Sequence, residues 1–185
     1  MHVNRSPLQD PEAFSQLYDR TQIIIFRFIY GLHGGPLEEV EDLTCDTYLR
    51  AWKARSRFRG DQHDALCWLF TIARRLVIDA HRHRKTSEED TQIRLDEASS
   101  EFTAQSGSKT PEEQAALRDQ FKHLWSILQD LPDEKREMLV LRYMLGWKVK
   151  EIASYLRMEE NTVSVYIKRC LEQIRQGMHS EETSQ

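Results

Sequence analysis

Apolar residues recur at three- and four-residue steps through both ends of this 185-residue chain, and the recurrence stops between about residues 86 and 109. In the first block Phe14, Leu17, Tyr18, Thr21, Ile24/Ile25, Phe28 and Leu32 share one helical face. Trp68/Leu69, Ile72, Leu76 and Ala80 share another. A 3.6-residue period buries a stripe on a helix, whereas strands need strict alternation, which appears nowhere convincingly. The middle segment is rich in Ser, Thr, Glu, Asp and Gln, with Ile93, Leu95 and Phe102 scattered in it. So sparse a pattern cannot bury a core. The expected fold is therefore all-α: two small helical domains, 8–85 and 111–178, joined by a flexible acidic linker, 86–110.

Helix boundaries follow from local chemistry. Asp10-Pro11-Glu12 opens the first helix, because Asp accepts free N–H groups and Pro suits the first turn. Gly34-Gly35-Pro36 closes it, and Pro36 opens a second helix in which Val40, Leu43, Thr47 and Trp52 face inward. Its other side carries Glu38, Glu39, Glu41, Asp42 and Asp46. After a break at Arg59-Gly60-Asp61, a third helix runs from about 65 to 84 and ends in His81-Arg82-His83-Arg84-Lys85, cations that suit a helix C-terminus. Thr110-Pro111-Glu112-Glu113 reads as a capping box restarting ordered structure. Four helices are expected near 111–129, 133–145, 149–156 and 160–176.

Charge narrows the function classes. The net charge is −4, but Lys+Arg against Asp+Glu count 13 to 11 over 1–85, 3 to 9 over 86–120 and 10 to 10 over 121–185. The acidity belongs to the middle, and nucleic-acid binding needs only local positive charge. No apolar run is long enough to cross a bilayer, and the N-terminus lacks the apolar stretch of an export signal, so a cytoplasmic protein is expected. Cys45, Cys67 and Cys170 are too far apart for a metal-ligand motif and are expected as free thiols. No cofactor is implied.

The segment Val149–Leu156, a break at Arg157–Glu160 and a helix from Asn161 to Arg175 have helix-turn-helix proportions. Ile152, Ala153 and Leu156 are expected inside, with Val163, Ile167, Leu171 and Ile174 holding the second helix down. Ser164, Val165, Lys168 and Arg169 are left for a major groove.

The run from Glu39 to Trp52, then Arg57-Phe58-Arg59-Gly60-Asp61, then Trp68 to Asp79 with Arg82 and Arg84, closely resembles region 2 of extracytoplasmic-function (ECF) sigma factors. The C-terminal block resembles their region 4 through Leu131-Pro132, Arg136, Leu141-Arg142-Tyr143, Gly146, Glu151-Ile152-Ala153, Asn161-Thr162-Val163 and Arg169. The resemblance implies a non-enzymatic promoter-recognition subunit that binds core RNA polymerase and promoter DNA, under control of an anti-sigma factor.

Residue by residue, the resemblance implicates Glu41, Asp42, Asp46, Leu49, Arg50 and Trp52 in binding core polymerase, although the same acidic stripe also reads as a solvated helix face. Cys45 stands where the family often has Gln. For the −10 element it implicates a loop from about Phe58 to Cys67, where Phe58, Arg59, Asp61, Gln62, His63 and Asp64 supply stacking and hydrogen-bonding groups for an unstacked base. That loop carries one residue more than common family patterns, and Phe58 reads equally as a buried anchor. Arg74, Arg75, Arg82, Arg84 and Lys85 would hold phosphates, with Asp79 orienting a neighbouring Arg. For the −35 element it implicates Ser164, Val165 and Lys168 at bases and Arg142 and Arg169 at phosphates. Here Lys148 replaces a frequent Ser or Thr cap, Arg157 a frequent Gly, and Ser164 and Tyr166 stand where Lys or Arg is common. The linker, about 24 residues, can extend about 80 Å at roughly 3.3–3.6 Å each, enough to separate two promoter elements; its acidity suits either an RNA channel or simple solubility.

Two other readings use fewer of these features. A free-standing helix-turn-helix regulator leaves the first block without a task. A metal-dependent hydrolase built on His81 and His83 requires ligands that lie two apart on a helix and so face different sides. His63, His81 and His83 read as pH-sensitive groups or as simple polar contacts.

Overall fold

The computed structural model describes residues 6–85 and 123–182; the side chains of Arg84, Lys85 and 179–182, the linker and the capping box at Thr110 lie outside the described residues. The first unit contains α1 (Pro11–His33), α2 (Leu37–Ala54), a 3₁₀ turn (Arg55–Arg57) and α3 (Gln62–Lys85). The second contains α4 (123–129), α5 (Asp133–Leu139), a π turn (Val140–Met144), α6 (Val149–Leu156) and α7 (Glu160–Glu182). No strand occurs among the described residues.

Helix α1 begins where expected: Asp10 Oδ1 accepts the Glu12 N–H, and the Asp10 carbonyl accepts the Phe14 N–H. It ends at Gly34, whose φ of 62° lets the chain turn left-handed without a Cβ penalty. Ile25, Phe28 and Ile29 of α1, Val40 and Ala51 of α2, and Leu69, Phe70 and Ala73 of α3 are fully buried. Phe28 and Phe70 meet at 4.4 Å between ring centroids. Each large side chain so buried stabilises the unit by about 1.5–3 kcal/mol relative to exposure.

Polar contacts fix the remaining geometry. Thr21 Oγ1 donates to the Leu17 carbonyl at 2.7 Å and lies 2.8 Å from the Tyr48 hydroxyl. Since the only hydroxyl proton of Thr21 is taken, Tyr48 donates. Burial pushes the Tyr48 phenol up to about 12. At the other end of the bundle, fully buried His33 bonds the Glu39 carboxylate at 2.8 Å, and His81 stacks on His33 and donates to its carbonyl. The ends of all three helices are thereby tied together.

Helix α3 hides a broader surface than the expected stripe, because Phe70, Ala73 and Val77 are buried beside Leu69 and Leu76. Tyr18, expected inside, is 41% exposed, with its ring against Tyr48.

In the second unit Met138, Leu141, Ile152, Ala153, Val163 and Cys170 form the buried centre. The Arg136 guanidinium, 4% exposed, donates to the carbonyls of Leu128, Gln129 and Leu131, to Gln129 Oε1, and to Asp133. It closes the C-terminus of α4 and the turn into α5. Burial pushes its pKa down, with Asp133 opposing. The expected helix near 133–145 widens at Val140, where the Leu145 N–H reaches back five residues to the Val140 carbonyl. Leu171 is a correction: it is 41% exposed, and Cys170 takes the buried place one residue earlier. The inward positions of α7 run Val163, Ile167, Cys170, an i, i+4, i+7 pattern that Leu171 does not join.

Candidate nucleic-acid interface

On α2, Glu41, Asp42, Asp46, Leu49 and Arg50 are exposed on a face opposite Val40, Thr47 and Ala51. Leu49 is 55% exposed, an apolar group amid carboxylates. Trp52 behaves differently. Its ring stands edge-on to Phe14 at 5.1 Å, and the Arg55 guanidinium covers it at 3.4 Å from the ring centroid. Arg55 also donates to the Trp52 carbonyl. Trp52 therefore packs α2 against α1, with only part of its surface left outward.

The loop before α3 uses several of its expected base-contacting residues on itself. Phe58 is 7% exposed and its ring lies 5.1 Å from that of Trp68, so it is a core anchor rather than a stacking surface. Asp61 and Asp64 form a reciprocal cap: the Asp64 N–H donates to Asp61 Oδ1 at 2.9 Å, and the Asp61 N–H donates to Asp64 Oδ2 at 3.0 Å. The Asp61 carboxylate is thus held by the first turn of α3, and the Asp64 carboxylate by the residue before that helix. The spacing Asp61-x-x-Asp64 was the available signal. Gly60 has a φ of 148°, and a Cβ there would meet Asp64 Cβ at 2.6 Å, so this approach requires glycine.

What remains open is a track along α3. Gln62 and His63 are exposed at its start, and Thr71, Arg75, Asp79 and Arg82 follow at three- and four-residue steps toward its C-terminus. His63 Nε2 lies 3.7 Å from Cys67 Sγ on the same side. Burial, then Asp64 and Asp61, push the Cys67 thiol up. Asp79 and Arg82, both well exposed, approach to 4.0 Å, a weak ion pair. Arg74 is half-buried beside this track, whereas Arg75 projects from it. Arg59 is exposed and donates to the carbonyls of Ser56 and Phe58, which anchors it at the rim of the loop. His81 is turned inward and His83 outward, so the two do not converge.

In the second unit, α6 and α7 are the two helices of the helix-turn-helix. Ser164, Val165, Lys168 and Arg169 are all exposed, and Val163 and Ile167 between them are buried. Arg142 departs from expectation. It is half-buried and donates to the Trp147 carbonyl at 2.9 Å, which holds the turn leading into α6. Lys148 precedes α6 with no acceptor on its side chain, and Glu151 caps the helix alone by accepting the Lys148 backbone N–H. The Tyr155 hydroxyl donates to fully buried Glu137, and the Tyr155 ring stands edge-on to Trp147. These contacts pin α6 to α5.

The chain matches the Sigma-70 region 2 family over residues 17–86 and the Sigma-70, region 4 family over residues 122–174, together more than half its length. It is 31% identical over 162 residues to the ECF RNA polymerase sigma factor BldN of Streptomyces coelicolor, covering 87% of this chain and 58% of BldN. It is 25% identical over 167 residues to the ECF RNA polymerase sigma factor SigX of Bacillus subtilis, covering 90% of this chain and 84% of SigX. Among solved structures, the sigma factor RpoE of Bartonella quintana, in complex with the anti-sigma factor NepR, is similar in fold with a TM-score of 0.62 at 20% identity, over 91% of this chain and 98% of that chain.

Proposed function

The chain belongs to the ECF group of sigma-70-type RNA polymerase sigma factors, and on that premise we propose that it binds core RNA polymerase and directs it to specific promoters. It is an initiation subunit, not an enzyme. The observation that carries the proposal is the pairing, in one chain, of a region 2 unit with an acidic helix face and a polar α3 track, and a region 4 unit with an open helix-turn-helix.

The work divides between the units. Glu41, Asp42, Asp46, Leu49 and Arg50 on α2 form the polymerase-docking face, with apolar Leu49 as its centre. Arg59, Gln62, His63, Arg75 and Arg82, extended by Arg84 and Lys85, hold the −10 strand along α3. Phe58, Asp61 and Asp64 support that surface by shaping the loop. Ser164, Val165 and Lys168 meet base edges at the −35 element, and Arg169 meets phosphate. Arg142 and Trp52 act mainly by holding α6 and α2 in place. The protein works in the cytoplasm with polymerase; no helix among the described residues is long and apolar enough to cross a membrane. An anti-sigma factor is its proposed inhibitor, in line with the RpoE–NepR complex.

Run-off transcription with core polymerase on a promoter library tests the proposal. Initiation from a defined subset of promoters is expected. No initiation by a folded preparation free of inhibitor would refute it, and failure to co-elute with core polymerase would point to a free-standing regulator.

A further inference from the structure

The helix-turn-helix carries its positive charge in an unusual place. Helix α7 is entered through exposed Glu159 and Glu160, and from there to Cys170 it offers only Lys168 and Arg169 as cations. The first helix, α6, has exposed Lys148 and Lys150 at its start and exposed Arg157 at its end. Its one carboxylate, Glu151, is engaged by the Lys148 backbone N–H at 2.6 Å. Among the described residues, none of these three cations has an ion pair or a side-chain hydrogen bond.

Each of the three also sits where local preference opposes it. The position before α6 favours a side chain that accepts a hydrogen bond, and Lys148 has none. Lys150 lies in the first turn, where the helix dipole disfavours cations. Arg157 adopts φ 56°, ψ 46° and is the one non-glycine residue with positive φ among those described. An L-residue there is strained by the approach of its Cβ to the backbone. The turn itself needs the conformation, because the Arg157 and Met158 N–H groups close α6 on the carbonyls of Ser154 and Ala153. It does not need the arginine side chain.

In a helix-turn-helix the second helix enters the major groove and the first crosses the DNA backbone. Helix α6, about 12 Å long at 1.5 Å per residue, would carry cations at both of its ends across that backbone. We infer that Lys148, Lys150 and Arg157 form a phosphate clamp on α6 that supplies, from the first helix, backbone affinity beyond what Arg169 of α7 contributes. The ligand is duplex DNA phosphate at the −35 element, so the inference rests on the promoter-binding role proposed above. It adds residues outside the base-reading set and assigns them affinity without sequence choice.

The clamp has a signature that a structural role cannot produce. Lys148→Ser restores a capping oxygen, Lys150→Gln removes a cation from the first turn, and Arg157→Gly relieves the left-handed backbone. The triple variant should therefore melt no lower than the parent while binding DNA less well. Each lost phosphate contact lowers the slope of log K against log salt by about 0.9 and, with this electrostatic contribution taken to vanish near 1 M, costs about fivefold in affinity at 0.15 M salt. The three together should cost about a hundredfold.

The experiment measures binding of reconstituted holoenzyme to a duplex promoter chosen from the run-off library, between 0.05 and about 0.3 M salt. The triple variant, Arg157→Gly alone and Lys168→Ala are compared with the parent, and the melting temperature of each sigma chain is recorded. A shallower slope and weaker binding with an undiminished melting temperature are the expected result. Parental affinity and slope in the triple variant, beside a Lys168→Ala variant that binds more weakly, would overturn the clamp and leave the promoter-binding role standing. Weaker binding accompanied by a lower melting temperature would also overturn it, since the cations would then act through the fold. Failure of the parental holoenzyme to bind any promoter would refute the underlying role instead.

Discussion

Replacing Arg136 by Met probes how much a single buried cation contributes to the second unit. Its guanidinium makes hydrogen bonds to three main-chain carbonyls at 3.1–3.2 Å and to Gln129 Oε1 at 2.9 Å. Asp133, half exposed, pairs with it at 3.3 Å. A hydrogen bond from a charged donor contributes about 1.5–3 kcal/mol, so the three carbonyl bonds alone are worth several kcal/mol. Against that stands the desolvation of a cation, the main cause of its lowered pKa. Met fills much of the volume and removes both contributions, but leaves the carbonyls of Leu128, Gln129 and Leu131 without their donor. The Leu131 side is buried, while water can reach the half-exposed α4 residues. A net loss of about 3 kcal/mol is expected. A unit of this size holds only about 3–9 kcal/mol in total at roughly 0.05–0.15 kcal/mol per residue, so the change should open it locally. Hydrogen exchange read separately over 123–176 and 11–83 is the assay: faster exchange confined to the second unit is expected. A variant within about 0.5 kcal/mol of the parent would refute the reasoning, because desolvation would then cancel the carbonyl bonds.

Gly60→Ala should destabilise the first unit by about 1–3 kcal/mol through backbone strain, compounded by the clash with Asp64, and a thermal melt by circular dichroism reads it. Burial pushes the Tyr48 phenol in the folded chain up to about 12, against 10.0 for the free side chain. Its stabilising contribution is therefore complete below pH 10 and lost as pH rises from 10 toward 12. Tyrosinate absorbance and melting followed together should show this loss, and Tyr48→Phe should flatten it. Among the thiols, exposed Cys45 should alkylate first at neutral pH. Half-buried Cys67 and buried Cys170, both with thiols pushed up by burial, should lag behind in a mass-spectrometric time course.

Helix starts, stops and the apolar faces were legible because their causes lie within four residues: Asp10 capping α1, Gly34 ending it, and Val163 and Ile167 marking the inner side of α7. The exposed residues of the recognition helix, Ser164, Val165, Lys168 and Arg169, followed from the same period. Side chains whose fate depends on another element were not legible. Phe58 is buried because Trp68 of α3 lies against it, Trp52 is packed because Phe14 of α1 stands against its ring, and half-buried Arg142 spends one N–H on the carbonyl of Trp147. Asp61 and Asp64 fall between these cases, since their spacing is local but their carboxylates suited a base as well as a backbone. The sequence by itself thus determined that this chain is two helical units of the sigma type. Only tertiary structure decided which polar groups hold each unit together and which stay exposed, because a side chain's period sets the face it occupies and its neighbours decide whether that face is covered.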